Sequence, residues 1–306
     1  MSTGVAAVVF VVSLAATLYA ASVFAERLDH LGARLGLPEG TLGLLTAAGA
    51  DAPELATAIV ALATGAKNVG FGVVVGSNVF NLAAMIGVSA LLCGRVRIGR
   101  EALALEGGAS VAVTMLVVLL VFGVLPPWAV VVLALAVLVP YVVVGLRREL
   151  EHQRPHPPVS SRSLLLIPPS VAVIVLGSVG MVHAALKLGH AAGVPDVLIG
   201  TLVLAVVTSI PNAYTGVRLG LARRGSALVS ETLNSNTINL VGGLGVPALF
   251  ASVAGGGLAR ANGVWLLGAT LLTIALLAPR SGVRRAGGAL IVATWVGFAI
   301  VQGVVG

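Results

Sequence analysis

The stretch GADAPEL, residues 49–55, sets two carboxylates, Asp51 and Glu54, around Pro53 inside a run that is otherwise almost wholly apolar. No basic residue lies between Arg34 and Lys67 to pair with them. Proline has no N–H, and its ring clashes with the carbonyl four residues back, so Pro53 frees the carbonyl of Gly49 and breaks a helix at that point. The stretch has a counterpart. DAPELATA (51–58) is followed by GSNVFNLAAMIGV (76–88), and SIPNAYTG (209–216) is followed by NSNTINLVGGLGV (234–246). One shift of 158 residues aligns Pro53 with Pro211, Asn78 with Asn236, Asn81 with Asn239 and Gly87 with Gly245 without a gap. Pro211 frees the carbonyl of Val207 in the same way.

The rest of the chain says what kind of solvent surrounds these motifs. Of its 306 residues 58% are hydrophobic and 9% charged, with a mean hydropathy of +1.07. A soluble domain carries about 25% charged residues, so this chain lacks the polar surface to face water and belongs in a bilayer. A helix needs about 20 apolar residues to cross the hydrocarbon core. Spans are expected at 1–25, 41–66, 68–94, two within 107–146 divided at Pro126-Pro127, then 164–186, 197–221, 226–252, 261–279 and 286–305. The start, MSTGVAAVVF, has no basic residue and reads as a spanning helix rather than a secretion signal. Between the two sets of five spans lies RRELEHQRPHPPVSSR (147–162), the only long polar segment.

The charges agree with this count. Fifteen of the 18 basic residues fall in loops on one side, leaving Lys67, Lys187 and Arg260 on the other. Basic residues stay on the cytoplasmic side, so the central loop is expected inside and both termini outside, in the plasma membrane. The net charge of +7 is explained by topology, and no nucleic-acid partner is implied; the partners are the lipid bilayer and inorganic ions. The single cysteine, Cys93, allows no internal disulfide. The expected fold is all-α, ten membrane helices in two inverted five-helix repeats: residues 1–146, the cytoplasmic loop 147–163, and residues 164–306. An odd number of spans per half turns the second copy upside down in the membrane.

Carbonyls freed in lipid must meet water, protein or an ion, and broken helices in inverted repeats build midplane ion sites. The C-terminal end of each first half-helix adds partial negative charge. Both features favour a cation. Asn78 and Asn81, three residues apart, share a helix face, as do Asn236 and Asn239. An ionisable residue at mid-membrane is costly and functional by default, which singles out Glu54. Asp51 has two readings, coordination or capping of the half-helix that starts near Pro53. Glu231 lies one turn before Ser235; it lines a cytoplasmic vestibule, replaces a missing carboxylate, or pairs with Arg223 or Arg224.

Paired motifs of the form GTSxPE, then GSNxxN some twenty residues on, resemble the alpha repeats of the sodium/calcium exchanger family, within the cation/calcium exchanger superfamily. The resemblance implies a secondary antiporter that moves calcium against sodium or protons, with the ions competing for one midplane site and no cofactor. It implies a cation site made of Glu54, Thr208, Ser209, Asn78 and Asn236; beside these, the sequence itself offers Asp51, Asn212, the freed carbonyls of Gly49 and Val207, the hydroxyls of Ser77 and Ser235, and Glu231. The sequence departs from the pattern at four places. Ala50 stands where Thr is expected, Asp51 where Ser is expected, Asn212 where the second glutamate is expected, and Asn234 where Gly is expected. The formal charge of the site stays at −2 but sits on one repeat. Calcium takes about six to eight oxygens, a number that Asp51, Glu54, Asn78, Thr208, Asn212, Asn236 and two carbonyls can supply. A channel or uniporter on the same fold and a non-transporting scaffold are the other readings. No motif of an intramembrane enzyme is present.

Overall fold

The computed structural model describes residues 1–34, 47–149, 161–253 and 255–305, and is helical almost throughout. In chain order the helices are α1 (Thr3–Arg34), α2 (Ala52–Ala63), α3 (Lys67–Cys93), α4 (Arg100–Val121), α5 (Pro127–Glu149), α6 (Ile167–Ala191), α7 (Asp196–Thr208), α8 (Ile210–Leu221), α9 (Gly225–Leu240), α10 (Gly257–Leu277) and α11 (Arg285–Val305). The only sheet among the described residues is a two-stranded antiparallel ribbon, β1 (Arg95–Val96) with β2 (Val283–Arg284), which ties the two halves of the chain together.

The 158-residue shift of the motifs extends to the element bounds. α2 and α8 start and end at matched positions, α3 and α9 start at matched positions, and so do α5 and α11. α4 and α10 match within two residues at each end. The π-helical turn of α3, Leu82–Gly87, ends at Gly87, and the π-helical turn that extends α9, Val241–Gly245, ends at the matching Gly245.

Each proline does what its covalent structure dictates. Residues 47–50 are helical, Asp51 is a turn, and Pro53 occupies the first turn of α2. The amide of Asp51 closes the earlier helix on Ala47, and that of Leu55 opens the next on Asp51. In the second half Ser209 closes on Ala205, Ala213 opens on Ser209, and α7 and α8 bend by 49° across the break. Residues 35–46, where the second expected span begins, and 150–160, most of the expected central loop, lie outside the described residues.

Six described helices are long and apolar enough to cross a membrane, or seven if α7 and α8 count as one bent span. Ten spans were expected from the sequence. α2 is a 12-residue helix, the apolar part of α5 runs only Pro127–Pro140, and α9 carries Glu231 with a row of Ser, Thr and Asn.

The centre of the bundle is α3. In its most apolar window 94% of residues are buried, against 17% in α1, so α1 lies at the periphery and α3 in the middle. α3 packs on α2, α7, α9 and α10, and α1 runs along α6. Glycine makes the central contact possible. A Cβ on Gly72 would lie 3.1 Å from the Gly200 Cα, and one on Gly76 would lie 2.7 Å from the Thr201 Cα and overlap its carbonyl oxygen. Buried valines at 69, 73, 74, 75 and 79, with Phe71, fill the space around this crossing.

Gly76→Ala is therefore expected to destabilise the protein by about 1–3 kcal/mol through overpacking against backbone that has no room to yield. Gly268→Ala on α10, where nothing lies within 4 Å of the new methyl, is expected to be neutral or to stabilise by about 0.5–1 kcal/mol. Thermal unfolding of the detergent-solubilised protein compares the two.

Candidate functional site

The break between residues 50 and 52 turns Asp51 inward. Its backbone holds the N-cap position of α2, yet its side chain makes no capping hydrogen bond. Asp51 Oδ1 instead accepts from Ser235 Oγ at 2.6 Å and from Asn212 Nδ2 at 2.8 Å. Of the two readings of this residue, the side chain serves the site and leaves the helix end to the backbone.

Glu54, one turn into α2, completes the arrangement. Its Oε1 accepts from Ser209 Oγ and from Asn212 Nδ2 at 3.3 Å, and its Oε2 accepts from Asn239 Nδ2 at 2.5 Å. One amide group thus bridges both carboxylates. Asn81 Nδ2 donates to Ser235 Oγ at 3.4 Å, extending the network back to α3. Asp51 and Glu54 are 0% and 1% exposed, and neither has a basic partner among the described residues. The donors Ser209, Asn212, Ser235 and Asn239 all reach the two acids from the second half of the chain, and Asn81 of α3 joins them at Glu54.

A second set of contacts crosses between the halves with near-perfect reciprocity. Asn78 Nδ2 donates to the backbone carbonyl of Asn236 at 3.1 Å, and Asn236 Nδ2 donates to that of Asn78 at 3.1 Å. The two residues are 158 apart, so the contact lies on the relation that repeats the chain.

Around this centre five buried side-chain oxygens have no hydrogen-bond donor: Asp51 Oδ2 and the Oδ1 atoms of Asn78, Asn81, Asn236 and Asn239. Buried polar atoms are nearly always satisfied. All five are oxygens and all are acceptors, the ligand type that hard cations such as calcium take. No group of three or more His, Cys, Asp or Glu occurs among the described residues, so amides and hydroxyls must supply most of any coordination.

The sequence-derived candidates fall into three groups. Asp51, Glu54, Ser209, Asn212 and Ser235 meet directly. Asn78 and Asn236 give their amide hydrogens to each other's backbone and keep only their oxygens free. Ser77 and Thr208 bond back within their own helices, to Val74 and Leu204. Gly49 and Val207 flank the breaks, one on each side of the pseudo-repeat, with the proline-freed carbonyls. Glu231 is half-buried on α9, without a bond to either acid, and within electrostatic reach of both Asp51 and Arg224. Thr57, one turn past the acids, donates to Ser178 of α6 at 3.3 Å and so serves packing.

Asn81 and Asn239 are the residues that sequence reasoning left out of the site. Asn239 holds a Glu54 oxygen directly and Asn81 holds Ser235. The signal was present: both lie at the 158-residue shift and three residues past the asparagines that were chosen.

Comparison with known proteins identifies the family and the fold. A family profile described as sodium/calcium exchanger protein matches residues 5–146 and 162–304. A protein of Alkalimonas amylolytica that bears the name antiporter CaxA is 23% identical over 311 residues, covering 96% of this chain and 97% of that one. The crystal structure of an H+/Ca2+ exchanger, CAX, superposes with a TM-score of 0.79 at 12% identity, over 96% of this chain and 82% of that chain. The sodium-calcium exchanger NCX_Mj, soaked with Na+ and Ca2+, superposes with a TM-score of 0.66 at 21% identity, over 97% and 98%. At these identities the structural likeness is one of fold.

The reciprocal asparagine contact predicts matched penalties. Asn78→Ala and Asn236→Ala each leave one buried carbonyl without its donor, at a cost of about 1–3 kcal/mol. The two single variants are expected to lose stability to a similar extent in chemical denaturation. A large loss in one and none in the other would show that the two contacts are not equivalent.

Proposed function

The chain belongs to the sodium/calcium exchanger protein family, and from that membership we propose that it is a secondary-active antiporter exchanging Ca2+ for Na+ or H+ at a midplane site between two inverted five-helix repeats. It is a transporter and not an enzyme, with cations as substrates. The repeats are taken as residues 1–146 and 164–306, joined by a cytoplasmic loop at 147–163. Three features support ten spans in place of the six or seven that length and composition count. The element bounds recur at one shift, each proline divides a helix at the matched position, and the polar face of α9 is buried against α3 and not exposed to lipid. The 15 to 3 distribution of basic residues supports termini outside and the loop inside.

The observation that carries the reading is two buried carboxylates bridged by one amide, with no basic side chain among the described residues to balance them. Two negative charges out of water are strongly unfavourable unless paired. In the arrangement described, hydroxyl and amide hydrogens from the second half point at both acids. A cation entering between them takes over that role. Ser209 and Ser235 then turn their lone pairs inward by rotating about one bond, and Asn212 presents its Oδ1 in place of its Nδ2. With the donor-free oxygens of Asp51, Asn81 and Asn239 these supply enough oxygen ligands for calcium. The same acids serve calcium and the coupling ion in turn, so binding of one excludes the other and exchange follows from competition at one site.

Flux in proteoliposomes tests the proposal. With sodium and proton gradients imposed separately, calcium uptake is expected to follow one or both. Glu54→Gln is expected to abolish it, and Asp51→Asn to reduce it by about tenfold or more through loss of a charged ligand. If no gradient drives calcium, the antiport reading fails; conductance independent of any counter-gradient would favour a channel. Unchanged flux in Asp51→Ser would remove Asp51 from the coordinating set.

A further inference from the structure

The two halves differ at one joint. In the first half α3 runs on past its π-helical turn through Val88–Cys93, and α8 lies tight against it. A Cβ on Gly216 would meet Met85 at 2.7 Å, and one on Gly220 would meet Ser89 at 2.8 Å. Ser89 Oγ also donates to the carbonyl of Gly216 at 3.2 Å. In the second half the position matching Ser89 is Pro247. Proline can neither donate nor continue a helix, and after Gly245 the chain makes only a short 3-10 turn, Pro247–Leu249. The helical turn that would have packed on α2 is missing. α2 also carries Ala58 and Leu62 where α8 carries the two contact glycines.

What remains is a cavity of about 600 Å3 between the end of α2 and residues 242–252. Ile59, Leu62 and Ala63 form one wall, Val246, Pro247 and Phe250 the other, and Lys67 stands at the turn between α2 and α3. Among the described residues that line it, Lys67 alone is charged. It is exposed and has no acidic partner among the described residues. Phe250 is 86% exposed beside the cavity, as expected of a side chain that faces hydrocarbon and not water. A hydrated cation has nothing to bind here: the walls offer no oxygen-rich surface, and the lysine repels it. An acyl chain fits the walls, and an anionic headgroup fits the lysine.

We propose that this joint binds an acidic phospholipid, its acyl chain between α2 and Phe250 and its phosphate on Lys67. The position gives the lipid leverage. α2 carries Glu54 at its other end, with Asp51 at the N-cap before it, and Gly242 lies one turn beyond Asn239, which holds Glu54. A bound chain therefore braces the two elements between which the Glu54 carboxylate is gripped, at a joint where a short 3-10 turn stands in place of the helical turn of the other half.

Native mass spectrometry of the purified full chain, with phosphatidylglycerol and phosphatidylcholine of identical acyl chains, tests the proposal without any transport measurement, so its outcome is separate from that of the antiport reading. The wild-type protein is expected to retain phosphatidylglycerol over phosphatidylcholine. Lys67→Gln, at an exposed position, is expected to lower phosphatidylglycerol retention about fivefold and leave phosphatidylcholine unchanged. Ala63→Trp, which fills the cavity away from the acids, is expected to abolish retention of both. Equal retention of the two lipids by the wild type, or undiminished phosphatidylglycerol retention in Lys67→Gln, would overturn it.

Discussion

Two carboxylates buried side by side, with no lysine or arginine among the described residues to meet them, set the terms for the rest of this structure. An isolated carboxylate in a low-dielectric interior is far more costly than the few kcal/mol of net stability that a folded chain possesses. Asp51 and Glu54 persist because each oxygen that faces inward is met by a hydroxyl or an amide, except Asp51 Oδ2. Those donors lie some 155 to 185 residues away in the chain. The acids therefore cannot be accommodated by either half alone. The second half must pack against the first in one register, and the reciprocal Asn78–Asn236 contact lies on the relation that sets it.

Backbone chemistry prepares the ground for that register. Proline at 53 and 211 interrupts two helices at matched depths, and each interruption faces the polar helix of the opposite half. Glycine at 72, 76 and 200 lets α3 and α7 approach until backbone meets backbone. This closeness is what brings short side chains such as Ser209 and Ser235 within reach of carboxylates across the interface. Longer donors would not need it, but lysine or arginine here would neutralise the acids permanently and leave no task for a cation.

Much of this was legible in the sequence because it rests on period and spacing. The four matched pairs at one shift located the repeat, and the element bounds follow the same shift even where the residues have diverged. The pair of acids, the paired prolines and the departures at Asp51 and Asn212 were likewise visible. The choice between Asn78 and Asn81 was not. Three residues apart on one helix, they share a face but differ in direction by about 60°, and only the packed crossing decides which joins the cluster around the acids and which reaches a backbone carbonyl. Asp51 was ambiguous for a similar reason: a cap and a ligand start from the same backbone position and differ only in side-chain rotation. Hydropathy alone passes over α9 because of its polar residues, yet Thr232, Ser235, Asn236, Thr237 and Asn239 are buried within the protein.

The unequal division of labour between the halves has a mechanical consequence for the proposed antiport. In a symmetric site each repeat would carry one acid, and relative motion of the repeats would pull the two charges apart or push them together. Here both acids belong to one half, Glu54 in the first turn of α2 and Asp51 at the N-cap before it, so relative motion of the halves does not divide them. What changes is the set of donors on α8 and α9 that faces them. When those donors withdraw, two negative charges are left with only each other, a state that a cation must relieve; when they return, the acids are satisfied without one. Asn212 is the hinge of this exchange, because it stands where the second acid is expected and its one amide touches both carboxylates. Both acids thus stand on one half of the chain, and Ser209, Asn212, Ser235 and Asn239, which meet them, stand on the other.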